Sequence, residues 1–87
     1  MDKAAKGSWV VYIIQTESGQ LYTGITNDLE RRFAAHQNSS GARFFHFSSP
    51  QKIIFQEPHP NRSSATKREI AIKKLSREQK LSLINDI

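Results

Sequence analysis

Trp9-Val10-Val11-Tyr12-Ile13-Ile14, then Glu17-Ser18-Gly19-Gln20, then Leu21-Tyr22-Thr23-Gly24-Ile25: the reading of these three segments decides the fold. The first is an unbroken apolar run rich in β-branched residues, which predicts a strand buried on both faces. The second is a turn signal and the third a short strand, so the pair reads as a hairpin. Side chains alternate along a strand, and register therefore decides whether Tyr12 and Tyr22 share a face. They share one only if opposed residues carry numbers that sum to an even value. A two-residue turn at Ser18-Gly19 gives an odd sum and separates them. A loop of odd length, or a bulge, brings them together.

Downstream, Asn27 with Glu30 three residues later forms a capping box that starts a helix near Asp28. At about 100° per residue, Leu29, Arg32, Phe33 and His36 fall on one stripe while Arg31 points the opposite way. Arg31 is expected in solvent and Arg32 beside the core-facing residues. The helix is expected to end near Asn38-Ser39-Ser40-Gly41, with C-cap chemistry at Gly41 or just before it. Ala42-Arg43-Phe44-Phe45-His46-Phe47 is too short to assign to helix or strand. Lys52 to Glu57, held between Pro50 and Pro58, predicts a third strand, and Pro58 to Ser64 a polar loop. A helix from about Ser64 to Leu75 follows. Ser76 and Gln79 form a second capping box for a last helix with Leu81, Ile84 and Ile87 on one face. Residues 1–7 are expected to be a flexible polar tail, ahead of a core spanning about 8–87.

At 87 residues the chain has room for one domain, and 37% hydrophobic content supports one modest core. Thirteen Lys and Arg against eight Asp and Glu give a net charge of +5, which fits a polyanionic partner, nucleic acid being the commonest, and equally a merely soluble basic protein. The absence of cysteine excludes a disulfide framework, a thiolate nucleophile and a Cys-based metal site. Met1 to Gly7 has no apolar signal core, and no apolar run reaches membrane-spanning length. The expected setting is reducing and cytoplasmic, with no membrane partner.

Several residues carry chemistry. Glu69 lies beside Ala65 and Ile72, the buried stripe of its helix, and a carboxylate there must be paired, protonated or bound to a metal. It either pairs with Arg32, Arg68 or Lys73, or serves as a single oxygen ligand for Mg²⁺, which keeps most of its waters. Arg32 either partners a buried carboxylate or makes a bidentate contact with a phosphate. His36 is either packed and hydrogen-bonded or a proton acceptor near neutral pH. Buried tyrosines are common, so Tyr12 and Tyr22 become candidates for orienting or deprotonating a water only as a set, with a cation beside them.

As an ordered set, Val10-Val11-Tyr12, Tyr22-Thr23-Gly24, Ile25 to Phe33 with His36, Ala65 to Glu69 and Ile72 to Leu75 resemble the GIY-YIG nuclease domain, specifically its small single-domain bacterial members. The resemblance covers nearly the whole chain and implies an α+β fold, with a central three-stranded antiparallel sheet flanked by helices. It implies hydrolysis of DNA phosphodiester bonds, in repair or processing, with one Mg²⁺ or Mn²⁺ held by Glu69 and no small-molecule cofactor. By the same carry-over Arg32 steadies the scissile phosphate, Tyr12 with His36 activates water, and Tyr22 positions the water or the phosphate. Val10 stands where the family has its first glycine and Thr23 where it has isoleucine. Neither departure touches the implied chemistry.

No separate DNA-reading domain accompanies these motifs, so strong sequence specificity is not expected. Affinity then comes from phosphate contacts by Arg31, Arg43, Lys52, Lys67 and Arg68. Phe44, Phe45 and Phe47 either stack unpaired bases, which favours single-stranded or branched DNA, or pack against the core. Two other functions compete: a non-catalytic nucleic-acid-binding module on the same fold, and a protein-interaction domain built on the aromatic cluster.

Overall fold

The computed structural model describes residues 8–38 and 48–85. Expectations for residues 1–7, for the loop at Gly41, for Arg43 and its neighbouring phenylalanines and for Ile87 lie outside the described residues. Along the chain run β1 (Trp9–Thr16), β2 (Leu21–Thr26), α1 (Leu29–Gln37), β3 (Pro50–His59), α2 (Arg62–Lys73) and α3 (Arg77–Asn85). The three strands form one antiparallel sheet in the order β2-β1-β3, so the apolar run that opens the chain is the central strand. Val11 through Ile14 are all buried there, as a strand covered on both faces requires. The fold is α+β, with helices around a three-stranded sheet. No helix among the described residues is long and apolar enough to cross a membrane.

The hairpin satisfies the even-sum condition. Val10 faces Thr26 and Tyr12 faces Gly24. The connection between Thr16 and Gln20 has three residues, Glu17, Ser18 and Gly19. It is closed by Thr16 N–H donating to the Gln20 carbonyl at 2.9 Å and Gly19 N–H to the Thr16 carbonyl at 2.9 Å. Gly19 has φ +91°, the left-handed conformation that three-residue hairpin loops place at their last position and that glycine adopts without steric penalty.

The third strand is longer than predicted and contains both prolines thought to bound it. It pairs only with β1 and is therefore an edge strand, the one place in a sheet where a missing N–H is tolerated. Its register slips between Phe55, which faces Ile13, and Ile53, which faces Ile14. The extra residue, Ile54, is a bulge that breaks the alternation. Ile54 and Phe55 consequently pack on one face, with Val11, Ile13, Ala65 and Ile72, and Ile53 packs on the other, with Tyr12 and Ile14.

Each helix takes one face. Leu29 and Phe33 of α1 cover Tyr12 and Ile14, and α2 and α3 cover the opposite face. The cap of α1 is Asp28 rather than Asn27, its Oδ1 accepting from Arg31 N–H at 3.3 Å. The helix closes at Asn38, whose N–H donates to the Ala34 carbonyl. Helix α2 begins two residues earlier than predicted because the Asn61 side chain caps it, accepting from Ser64 N–H at 2.8 Å. The second capping box forms reciprocally: Gln79 N–H donates to Ser76 Oγ at 3.1 Å and Ser76 N–H to Gln79 Oε1 at 2.9 Å. Leu83 joins Ile84 against the core, where Leu81 was expected.

One position in the sheet works against stability. Thr23, opposite Ile13, is buried and its hydroxyl has no hydrogen-bond partner among the described residues. Thr23→Val keeps the shape and removes the orphaned hydroxyl. A gain of about 1 kcal/mol in urea unfolding is expected.

Candidate active site

The shared face of the hairpin presents both tyrosines to α1. Directly across from Tyr12, Gly24 leaves the room its ring occupies: a Cβ at position 24 would lie 2.5 Å from the Tyr12 hydroxyl and 2.7 Å from Cζ. The phenol thus runs across bare backbone towards α1, where His36 is the buried residue of the helix. Tyr12 Oη and His36 Nε2 are hydrogen-bonded at 3.1 Å, each residue about 1% exposed. Tyr22 completes the cluster. Its ring centroid lies 6.3 Å from that of Tyr12 and 5.4 Å from that of His36, the latter edge to face.

Both members of the hydrogen-bonded pair are held neutral. Burial pushes the Tyr12 phenol up to about 12; the charges of Tyr22 and Glu69 push the same way, and Arg32 opposes them. Burial also lowers His36 to about 4, and the positive charge of Arg32 adds to that shift. At neutral pH the pair is a phenol and an uncharged imidazole. With the ring lone pair on Nε2, the Tyr12 hydroxyl donates to it and can accept a further proton only as it gives up its own.

Arg31 and Arg32 are both exposed on α1, so the expected contrast between a solvated Arg31 and an Arg32 beside the core is not one of burial. The charge of Arg32 acts on Tyr12 and on His36, the two groups at the centre of the cluster. Glu69 approaches from α2, close enough for its charge to bear on Tyr12. Its side chain is 19% exposed and pairs through Oε2 with Lys73 one turn on, at 3.1 Å. Of the three cations expected as partners for Glu69, the ion pair forms with Lys73.

Arg68 has a different bond. Its Nε donates to Glu57 Oε1 at 3.0 Å, and the same oxygen meets His59 Nε2 at 2.8 Å. His59 Nδ1 is in turn hydrogen-bonded to Ser64 Oγ at 2.6 Å. Burial alone would raise the Glu57 carboxyl, but the bonds from His59 and Arg68 overcome it and hold the group below its ordinary range. This network ties the end of β3 to the first turns of α2. Glu57, His59 and Ser64 carried no signal for it in the sequence, since each is an ordinary polar residue next to a loop. The other basic residues expected at a nucleic-acid surface, Arg31, Lys52 and Lys67, are exposed on α1, β3 and α2.

The profile of the GIY-YIG catalytic domain matches residues 8–82. The chain belongs to the GIY-YIG family. It is 41% identical over 80 residues to a UPF0213 protein of Photorhabdus laumondii, covering 92% of this chain and 77% of the relative. A UPF0213 protein of Staphylococcus saprophyticus is 40% identical over 76 residues, covering 87% and 93%. Among solved structures, the solution NMR structure of a UPF0213 protein from Bacillus halodurans superposes with a TM-score of 0.59 at 31% identity, covering 90% of this chain and 83% of that one. In GIY-YIG terms, the second tripeptide ends in glycine here because Tyr12 of the first needs the space above it. Gly24 is the residue of the site that motif reading alone left without a role. The even register, which sets it against Tyr12, is the signal that finds it.

Two outcomes follow from this geometry. Gly24→Ala forces the phenol off its position, and destabilisation by about 1–3 kcal/mol in urea unfolding is expected, with loss of the Tyr12–His36 hydrogen bond from the His36 ring spectrum. The second concerns pH. An unfolded chain protonates His36 near 6.5, whereas the folded chain resists protonation down to about 4. Stability is therefore full above pH about 6.5 and falls as pH drops towards 4. His36→Gln should flatten that limb of the urea-midpoint profile, and an unchanged slope would assign the loss to other groups.

Proposed function

We infer that this chain is a divalent-metal-dependent endonuclease that hydrolyses DNA phosphodiester bonds without strong sequence specificity, acting in DNA repair or processing in the cytoplasm. The observation that carries the reading is the buried Tyr12–His36 hydrogen bond at 3.1 Å, with Tyr22 against it and the charges of Arg32 and Glu69 acting on its phenol. A purely structural tyrosine–histidine contact has no need of a guanidinium and a carboxylate converging on it.

In this reading the phosphate is held by Arg32, and the attacking water passes its proton to Tyr12 Oη as Tyr12 gives its own to His36 Nε2. The relay returns Tyr12 to its starting state and leaves the proton on the imidazole. Alone, the pair resists this transfer, since the phenol is raised and the imidazole lowered. Part of that lowering comes from Arg32, and a phosphate anion on Arg32 offsets its charge. Substrate binding thus makes His36 a better proton acceptor at the moment it is needed.

Glu69 would hold the metal. Among the described residues no three His, Cys, Asp or Glu side chains group to form a metal site. That suits a hard ion which keeps most of its waters and takes one protein carboxylate, as Mg²⁺ or Mn²⁺ does. Such an ion supplies charge neutralisation at the phosphate and acidifies the water it carries. The Lys73 ammonium, which pairs with Glu69 and is more than half exposed, is free to swing away without disturbing the core.

Incubating the protein with labelled single-stranded, duplex and branched DNA in Mg²⁺ or Mn²⁺ tests the reading. Cleavage is expected, with Glu69→Ala and Tyr12→Phe each slower by about 100-fold or more. Salt-dependent binding with no turnover would instead assign a non-catalytic binding module, and turnover undiminished in Glu69→Ala would reject the metal role.

A further inference from the structure

Along the tyrosine face of the sheet, next to the cluster, a cavity of about 430 Å³ opens between the start of α1 and strands β1 and β3. Its walls are the apolar side chains of Val10, Leu29 and Ile53. Thr26, Asn27 and Gln56 supply hydrogen-bonding groups, and Asp28 and Glu30 also line it. Val10 and Thr26 lie two residues along their strands from Tyr12 and Gly24, on the same face, about 7 Å away. Gln56 is paired directly with Tyr12 across the β1–β3 ladder. The cavity therefore begins where the catalytic cluster ends.

We propose that this cavity receives one unpaired base of a single-stranded DNA substrate, held beside the scissile phosphate; the proposal rests on the nuclease reading and specifies its substrate. Volume and chemistry agree. The space is within the range of small-ligand sites and larger than one base needs, so a base enters together with part of its sugar. Apolar side chains on opposite sides take the two faces of a base, and polar groups read its edge. Gln56 and Asn27 each bring an amide with donors and an acceptor, the pairing groups a base edge offers.

The charge pattern separates this cavity from the phosphate site. The protein carries +5 overall, yet no lysine or arginine among the described residues lines the cavity, and two carboxylates do. With no cationic side chain among those lining residues the cavity offers a phosphate no partner, while the amides of Gln56 and Asn27 can meet a base edge as donors or acceptors. The phosphate stays at Arg32, one turn further along α1, and the base swings into the cavity on the same face. A paired base cannot make that movement without breaking its duplex, so the geometry favours single-stranded DNA or the unpaired arms of a branched substrate.

The test uses the intact protein in EDTA, where no cleavage occurs. Backbone amide spectra are followed while deoxycytidine, a nucleoside without phosphate, is added. Shifts centred on Val10, Thr26 and Gln56 are expected. Binding is then compared between a deoxycytidine oligonucleotide and an abasic oligonucleotide of the same length. The wild type should prefer the first at least about fivefold. Gln56→Trp, a substitution at an exposed edge-strand position that fills the cavity, should lose the preference and keep its affinity for the abasic strand. Amide spectra establish that this variant is folded, and Gln56→Leu, which removes the amide without filling the space, should lose part of the preference. Absence of shifts at the three amides, or a preference that Gln56→Trp retains, would overturn the proposal. Nucleoside binding in the cavity of a protein that cleaves nothing would leave the pocket standing and reject the nuclease reading.

Discussion

The register of β1 against β2 is the constraint on which the site depends. It is set by three loop residues and one backbone angle, the φ of +91° at Gly19. A loop one residue shorter would turn one tyrosine to the other face and set Tyr12 against a side chain instead of Gly24. The cluster of two phenols and an imidazole is therefore a product of turn chemistry several residues away. Its chemical character then follows from burial: the same packing that aligns Tyr12 and His36 suppresses charge on both.

A second irregularity complements the first. With three strands and fewer than ninety residues, the sheet must build two packed faces from one central strand. The bulge at Ile54 places two consecutive large side chains of β3 under α2 and α3 and returns Ile53 to the tyrosine face. The face under α1 is consequently thinner in apolar content than the one under α2. That leaves room for polar groups at its centre and an open cavity at its edge.

Much of this was legible in the sequence, and the reasons differ by element. The central strand announced itself through an unbroken β-branched run, whereas helical periodicity pointed Arg32 towards the site without showing that its long side chain, like that of Arg31, stays exposed. The shared face of the tyrosines was legible only as a condition on loop length, because alternation fixes parity and not register. Asn27 and Asp28 are both good capping residues, and only backbone dihedrals decide between neighbours of that kind. In sequence the two prolines look like stops for β3, but the strand's edge position makes proline admissible and it runs from Pro50 to His59. The Glu57–His59–Ser64–Arg68 network was invisible, since it joins residues whose only common property is where the chain folds them. Thr23 matches its family position in place but not in chemistry, and the cost of its hydroxyl emerges only once burial is known.

The prolines of β3 have a consequence for the molecule as a whole. A small open sheet exposes two edges, and each unpaired row of N–H and C=O groups is a template on which another extended chain can grow. Here one edge strand is only six residues long, and the other carries Pro50 and Pro58 at or near its ends, positions that have no N–H to offer. A strand laid along β3 would find its ladder interrupted towards both ends. A net charge of +5 draws the chain to any polyanion, where its local concentration rises, and this built-in resistance to edge-to-edge pairing works against its assembly into sheets there.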